Sequence, residues 1–271
     1  MSRLIDRSLE IFRHKVSMVT TPRAVSRVIQ TEVNGYSLLV RANEDVGRAI
    51  HFSRNFEIRE TRFLQSVIDE RAVCFDIGAN FGYFSMLMAR SAPQGQVHAF
   101  EPLPLNAALL RASAVLNRFE NINLMQSAVG ASDGVVEFVQ AEDSAYSSMI
   151  DTARKGVAAR IEVPITRLDS YCANAGVTRI DVLKADIEGA EALMLDGAKG
   201  LLSDAARRPR VMMIELYQPS LEKFGSSVDA VIQRLSGHGY TANIIGADLG
   251  MQRFDPVRDA AQYNIVFRAD C

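Results

Sequence analysis

The sequence predicts an α/β fold, a doubly wound and mostly parallel sheet of seven strands with an antiparallel hairpin at one edge. Three observations predict it. From Arg71 onward, short β-prone apolar runs alternate with segments of helical spacing, the grammar of strand–helix–strand crossovers. The last two runs, at 240–245 and 264–267, have no helical segment between them, which favours antiparallel pairing. The run that begins at Val73 stops at an acid. Two glycines and an apolar segment from Tyr83 to Ala89 follow, giving a strand, a tight turn and a helix N-terminus.

Residues 1–54 are expected to form an N-terminal extension of helix and hairpin, and 55–271 the main domain. Over 3–18, Ile5, Leu9, Phe12 and Val16 recur at helical spacing. Such an amphipathic helix suits packing on its own domain or on a second subunit in a homodimer. It also suits loose contact with a membrane surface, because Arg3, Arg7, Arg13, His14 and Lys15 are mixed with few acids. Residues 31–41 read as a hairpin turning at Asn34-Gly35, with Tyr36, Leu38 and Val40 on one face. A helix over 55–69 carries Phe56, Ile58, Phe63, Leu64, Val67 and Ile68 toward the sheet.

In the main domain, strands are expected from Val73 to the acid, then at 97–100, 122–129, 180–186 and 211–216, before the late pair. Helices are expected over 105–117, from Ala190 through Leu201, and from a Ser227 cap to about Leu235, where Gly237 and Gly239 stop it. Residues 131–170 break the rhythm. There 135–139 and 161–165 alternate as strands around a polar loop holding Ser144, Tyr146, Ser147 and Ser148. This inserted β segment is expected over the end of the sheet where open α/β folds bind ligands.

Bulk properties exclude several function classes. At 271 residues the chain is long enough for one large domain, and a formal net charge of −2 gives no electrostatic case for nucleic acid. No apolar run approaches the length of an integral membrane span, and Met1 to Arg7 lacks the unbroken apolar core of a signal peptide. Cys74, Cys172 and Cys271 are far apart and unpaired in spacing, which fits a reduced, cytoplasmic protein.

The turn itself reads D-x-G-x-x-x-G: Asp76, Gly78, Gly82. A dinucleotide fingerprint has a glycine where Asp76 stands. An acid there suits an ammonium better than a pyrophosphate, which points to S-adenosyl-L-methionine (SAM), with its amine and cationic sulfur. Glu101, 25 residues after Asp76 at the end of the next strand, is placed to accept both ribose hydroxyls of an adenosine cofactor. The plain alternative is that both acids cap loops. A second dense cluster, Lys184-Ala185-Asp186-Ile187-Glu188-Gly189-Ala190-Glu191, lies where a buried strand hands over to a helix. Alternation puts Lys184 and Asp186 on one side, where each shifts the pKa of the other. Glu188 or Glu191 could equally serve only the helix dipole.

These strings carry a resemblance. The segment from Phe75 to Ser85, the Phe100-Glu101-Pro102 step, Leu168-Asp169 and the segment from Asp181 to Glu191 resemble the FkbM family of SAM-dependent methyltransferases, over about 55–267. The resemblance implies a Rossmann-like class I methyltransferase sheet. It also implies O-methylation of a hydroxyl on a sugar, glycan, polyketide or related small metabolite. By the same likeness Asp76, Gly78, Asn80, Gly82 and Tyr83 would line the methionyl and ribose end of SAM, Glu101 would hold the ribose, and Ser127-Ala128 would flank the adenine. Asp186 and Glu188 would face the reacting centre; Lys184 joins the catalytic candidates as the partner of Asp186, and Asp186 is also a candidate cofactor contact.

Methyl transfer from a sulfonium is chiefly a matter of aligning acceptor, methyl and sulfur. An alcohol also needs a base, for which Asp186 comes first, then Glu188, with His238 more distant. Asp186 and Glu215 at neighbouring strand ends could instead share a divalent cation, though two carboxylates make a poor metal signature. Glu215-Leu216-Tyr217 would otherwise shape the acceptor pocket, and Tyr146 with Ser147 and Ser148 its lid. Two rival readings are an NAD(P)-dependent oxidoreductase, disfavoured by Asp76, and a SAM-fold subunit that binds without catalysing.

Overall fold

The computed structural model describes residues 27–246, 248–259 and 263–269. The helix expected over 3–18, with the dimer or membrane contact it would serve, lies outside them.

The described chain opens with an antiparallel hairpin, β1 (Val28–Val33) and β2 (Tyr36–Arg41), in which Val33 faces Tyr36. Asn34 and Gly35 turn it at φ 49° and 76°, both in the left-handed region that a two-residue hairpin turn requires. Two helices follow, α1 (Asp45–Ser53) and α2 (Ile58–Val67). The sequence did not suggest α1, because only Gly47 and Ile50 of its nine residues are buried and the apolar stripe is too short to read. The helix expected over 55–69 is α2, trimmed at both ends.

The main sheet then builds in crossovers: β3 (Val73–Ile77), α3 (Tyr83–Ser91), β4 (Gln96–Phe100), α4 (Pro104–Asn117) and β5 (Ile122–Met125). After a small separate sheet of β6 (Ala128–Val129), β7 (Gly134–Ala141) and β8 (Val157–Thr166), the crossovers resume. They run through α5 (Leu168–Ala175), β9 (Val182–Ala185), α6 (Glu191–Asp196), α7 (Lys199–Ser203), β10 (Val211–Glu215), α8 (Gln218–Lys223) and α9 (Val228–Gly237). The chain ends with β11 (Tyr240–Ile245), β12 (Met251–Arg253) and β13 (Asn264–Ala269). Strand order is β12-β11-β13-β10-β9-β3-β4-β5. The five strands from β10 to β5 are parallel, and β13 inserts antiparallel between β10 and β11.

The expected doubly wound, mostly parallel sheet is therefore present, with an eighth short strand, β12, added at the edge. Two details differ. The strand expected over 122–129 is two strands, because Ser127 donates its hydroxyl to the carbonyls of Ala128 and Pro164 (2.8 and 3.1 Å) and turns Ala128–Val129 into the small sheet beside β8. The helix expected from Ala190 to Leu201 breaks at Gly197, where an added Cβ would lie 2.0 Å from the Gly130 carbonyl oxygen.

Alternation along the strands feeds two apolar layers. Cys74, Val97, Val182 and Met213 face a core with Leu64, Met86, Leu87, Leu110 and the hairpin residues Leu38 and Val40. Phe75, Phe100, Leu183 and Met212 face the other, with Tyr171, Met194, Leu201 and Leu235. Strand order reverses between β3 and β9, so the loops after those two strands diverge and leave a crevice at their carboxyl ends.

Candidate active site

The crevice is a cleft enclosing about 920 Å³, part of it open to solvent. Asp76, Gly78, Asn80, Glu101, Ser127, Ala128, Lys184, Asp186 and Glu188, all singled out in the sequence, line it together with Tyr83. Gly82 sits just behind, at φ 88° as the residue before α3, where an added Cβ would meet Leu110 Cγ at 2.6 Å. Gly78, at φ 80°, is the tighter constraint: a Cβ there would lie 1.9 Å from the Asp186 carbonyl oxygen. The glycine turn and the acidic turn after β9 are thus in backbone contact, and the Asp186 N–H donates to the Ile77 carbonyl at 3.0 Å.

Asp76 is buried at the end of β3. Its Oδ2 accepts from the Ser85 hydroxyl at 2.5 Å, while Oδ1 has no hydrogen-bond partner. Burial raises its pKa against the opposing pull of Lys184, its register partner on β9. An orphaned buried carboxylate oxygen beside a cleft is a place for a cationic donor. Glu101 is buried at the end of β4 and accepts from two backbone N–H groups, Asn80 at 2.9 Å and Leu103 at 2.8 Å. Burial pushes its carboxyl up to about 7. The Asn106 side chain also hydrogen-bonds to it, and a carboxylate's roughly four acceptor sites still leave room for a hydroxyl. Beyond Glu101, Leu103, Ala128, Phe138 and Met149 line an apolar part of the cleft.

The other end of the cleft is acidic. Lys184 is 3 % exposed; its Nζ donates to Asp186 Oδ2 at 3.3 Å and lies 4.8 Å from the Phe84 ring centre. Burial opposes the Lys184 charge, but Asp186 and the more distant Glu57, Asp76 and Glu215 outweigh it and raise its pKa. For Asp186, the Lys184 ammonium and a hydrogen bond with Glu215 overcome burial and hold the carboxyl below its usual range. Glu215, buried against that negative charge, is pushed well above its own. Glu188, at φ 56°, pairs with Arg154 at 2.5 Å; burial and Asp186 still push it up to about 7. Among the described residues, no group of three His, Cys, Asp or Glu side chains is arranged to hold a metal ion.

Three sequence candidates sit differently from the others. The Tyr83 hydroxyl accepts from Asn34 Nδ2 at 2.8 Å and meets Thr61 Oγ1 at 3.1 Å. His238 follows α9, its carbonyl taken by Arg208, and does not line the cleft. Glu191 is buried, and its Oε1 accepts from the N–H groups of Ile187 and Gly189, both at 3.2 Å, tying the acidic turn together. Sequence reasoning missed Arg154, Asn106, Glu44 and Asp45. Arg154 and Glu44 lie outside the helices, Asp45 opens the short helix α1, and Asn106 is a polar position on α4 that the apolar spacing of that helix does not mark. Contacts gather them around Ser144, which lines the cleft, and the loop that follows it: Ser144 donates to Glu44 at 2.5 Å, Asn106 to Ser144 at 3.1 Å, and Lys155, next to Arg154, to Asp45 at 2.9 Å.

The model of the methyltransferase FkbM domain matches residues 76–242, well over half of the chain. The chain belongs to the FkbM methyltransferase family. Its cofactor is SAM, and the cleft fits that group: an orphaned acid for an amine, a carboxylate for ribose hydroxyls and an apolar lining for a base. Relatives of this methyltransferase include 31-O-demethyl-FK506 methyltransferase FkbM of Streptomyces tacrolimicus, 29% identical over 62% of this chain and 72% of that one. Another is the 2-O-methyltransferase NoeI of Sinorhizobium fredii, 28% identical over 48% of this chain and 59% of that one. Among solved structures, M. jannaschii TYW2 in complex with AdoMet is similar over 93% of this chain and 90% of that one, at 12% identity and a TM-score of 0.47.

Proposed function

We propose that this methyltransferase transfers the methyl group to a hydroxyl oxygen of a sugar, glycan or small metabolite. The observation that carries this reading is the position of Asp186: it closes the cofactor cleft, is held ionised by buried Lys184 and stands beside Glu215. The printed activities of two relatives, a 31-O-demethyl-FK506 methyltransferase and a 2-O-methyltransferase, support oxygen as the accepting atom.

SAM supplies an activated methyl group when bound. The chain's own residues do the rest. Asp76 receives the amine, Glu101 the ribose hydroxyls, and the apolar lining beside Ser127 and Ala128 the adenine; Gly78, Asn80 and Gly82 shape the turn between them. Asp186, ionised at neutral pH, accepts the proton of the acceptor hydroxyl at its Oδ atoms, and Glu188 is the alternative base. Lys184 holds Asp186 in place. Positioning contributes most of the rate, and the base roughly 10²–10⁴-fold.

The test is a calorimetric titration with S-adenosylhomocysteine (SAH), beside NADH, on wild type and Glu101→Ala, followed by labelled SAM on sugar and lipid extracts. SAH binds, NADH does not, and Glu101→Ala weakens SAH by roughly 10–100-fold, the worth of hydrogen bonds to a charged acceptor. NADH binding would favour an oxidoreductase. SAH binding without label transfer to any oxygen would leave a SAM-fold subunit that only binds.

A further inference from the structure

Asp186 and Glu188, just after β9, line the cleft, and Glu215 ends the neighbouring strand β10, so an acceptor would approach the methyl group at this acidic end. The space beside Glu188 is a cage. Tyr146, from the turn between β7 and β8, and Tyr217, just after β10, face one another across it, and Glu188 closes one side. One of the protein's own side chains fills it. The Arg154 guanidinium carbon lies 4.6 Å from each tyrosine ring centre, and its Nη1 donates to Glu188 Oε2 at 2.5 Å. Tyr217 is steadied from behind by Tyr263, edge-on at 5.3 Å.

We propose that this cage is the acceptor subsite and that Arg154 plugs it until the acceptor takes its place. The inference rests on the methyltransferase reading above. A guanidinium satisfies the cage by presenting flat faces to two rings and N–H donors to a carboxylate. A neutral ring bearing hydroxyls matches the same features: its C–H face lies on the tyrosines and its O–H groups donate to Glu188, Asp186 and Glu215. An anionic acceptor does not match, because three carboxyl groups would face it. The plug sits on a segment tied to the groups around it. Lys155, next in sequence, bridges to Asp45 on α1 at 2.9 Å and lies 5.0 Å from the Tyr146 ring centre. Ser148, on the same loop, donates to the Glu188 carbonyl at 3.1 Å. Loop, plug and Glu188 form one connected unit, so removing Arg154 from the cage also uncovers the Glu188 carboxylate.

The test uses full-length protein saturated with SAH and two probes, methyl α-D-glucopyranoside and glucuronate, followed by saturation-transfer NMR. Arg154→Ala and Arg154→Gln should bind the neutral pyranoside at least about tenfold more tightly than wild type, the ratio that corresponds to losing one charge-assisted contact to a competing plug. Neither variant should gain affinity for glucuronate, and adding Tyr217→Ala should remove the gain. Unchanged or weaker pyranoside binding in both Arg154 variants, with SAH affinity intact, would overturn the plug. Equal gains for glucuronate would overturn the assigned acceptor class. Loss of SAH binding by the wild type would instead sink the underlying methyltransferase reading, so the two failures are distinguishable.

Discussion

Glu101 shows how one buried side chain joins structure and ligand in a single pH-dependent quantity. Its oxygens already accept two backbone N–H groups, yet burial keeps its carboxyl at about 7. Ribose hydroxyls donate, so they favour the ionised form and lower that pKa on binding. SAH affinity should therefore be highest above pH 8 and roughly tenfold weaker at pH 6, with close to half a proton released per SAH bound at pH 7. Titrations in buffers of different ionisation enthalpy read the proton directly, and Glu101→Gln should flatten the profile; affinity independent of pH would rule out this assignment. Gly78 makes a harder demand. With φ at 80° and the Asp186 carbonyl 1.9 Å from any added Cβ, Gly78→Ala must move backbone against backbone. The expected cost is roughly 2–5 kcal/mol in urea unfolding. A loss under 1 kcal/mol (on the scale of an ordinary surface change) would mean the two turns are free to separate.

At the scale of elements, the sequence carried whatever is periodic and lost whatever is held by single contacts. The parallel strands β3, β4, β9 and β10 were legible because each is a short apolar run buried on both faces; β5, at the sheet's edge, is not. The glycine turn was legible because its residue types are dictated by backbone geometry. The residues that form the cleft's floor and acidic end were legible for the same reason, since they stand where strands stop. Helix α1 was not, having only two buried residues, and Ser127 split a strand through hydrogen bonds that no pattern announces. Arg154 was invisible because a loop position gains meaning only from the tyrosines that fold around it. Tyr83 illustrates the remaining ambiguity. Its position after the glycine turn suggested a cofactor contact, but its hydroxyl fastens the β1–β2 hairpin and α2 through Asn34 and Thr61. Tyr83→Phe should lower unfolding stability by about 1–3 kcal/mol and raise amide exchange in the hairpin, with little change in SAH affinity. If SAH affinity falls while the hairpin stays protected, the hydroxyl serves the cofactor after all.

For the whole molecule, the cleft and the acidic turn behind it concentrate carboxyl groups that folding makes hard to ionise. Glu101 and Glu188 sit at about 7 and Glu191 at about 8, all raised by burial from the usual 4.5. Between pH 4.5 and 8 the folded chain thus holds more protons on these groups than the unfolded chain, so its stability falls as pH rises through the window. Moving from pH 6 to pH 8 should cost roughly 1–2 kcal/mol for each group. His98 works in the opposite sense: burial lowers its pKa from 6.5 to about 4, so the unfolded chain binds its proton first and stability drops only as pH falls below 6.5. One histidine against three carboxyls leaves the unliganded protein less stable at pH 8 than at pH 6. SAH should reverse part of that loss, because it favours the ionised Glu101 that the empty fold resists. Thermal unfolding with and without saturating SAH should then show an unliganded midpoint that falls from pH 6 to pH 8 and an SAH increment that grows over the same interval. A flat unliganded midpoint would mean that these carboxyls ionise freely in the unliganded fold. An increment that shrinks toward pH 8 would mean that the cofactor meets Glu101 in its protonated form, and the ribose assignment would fall with it.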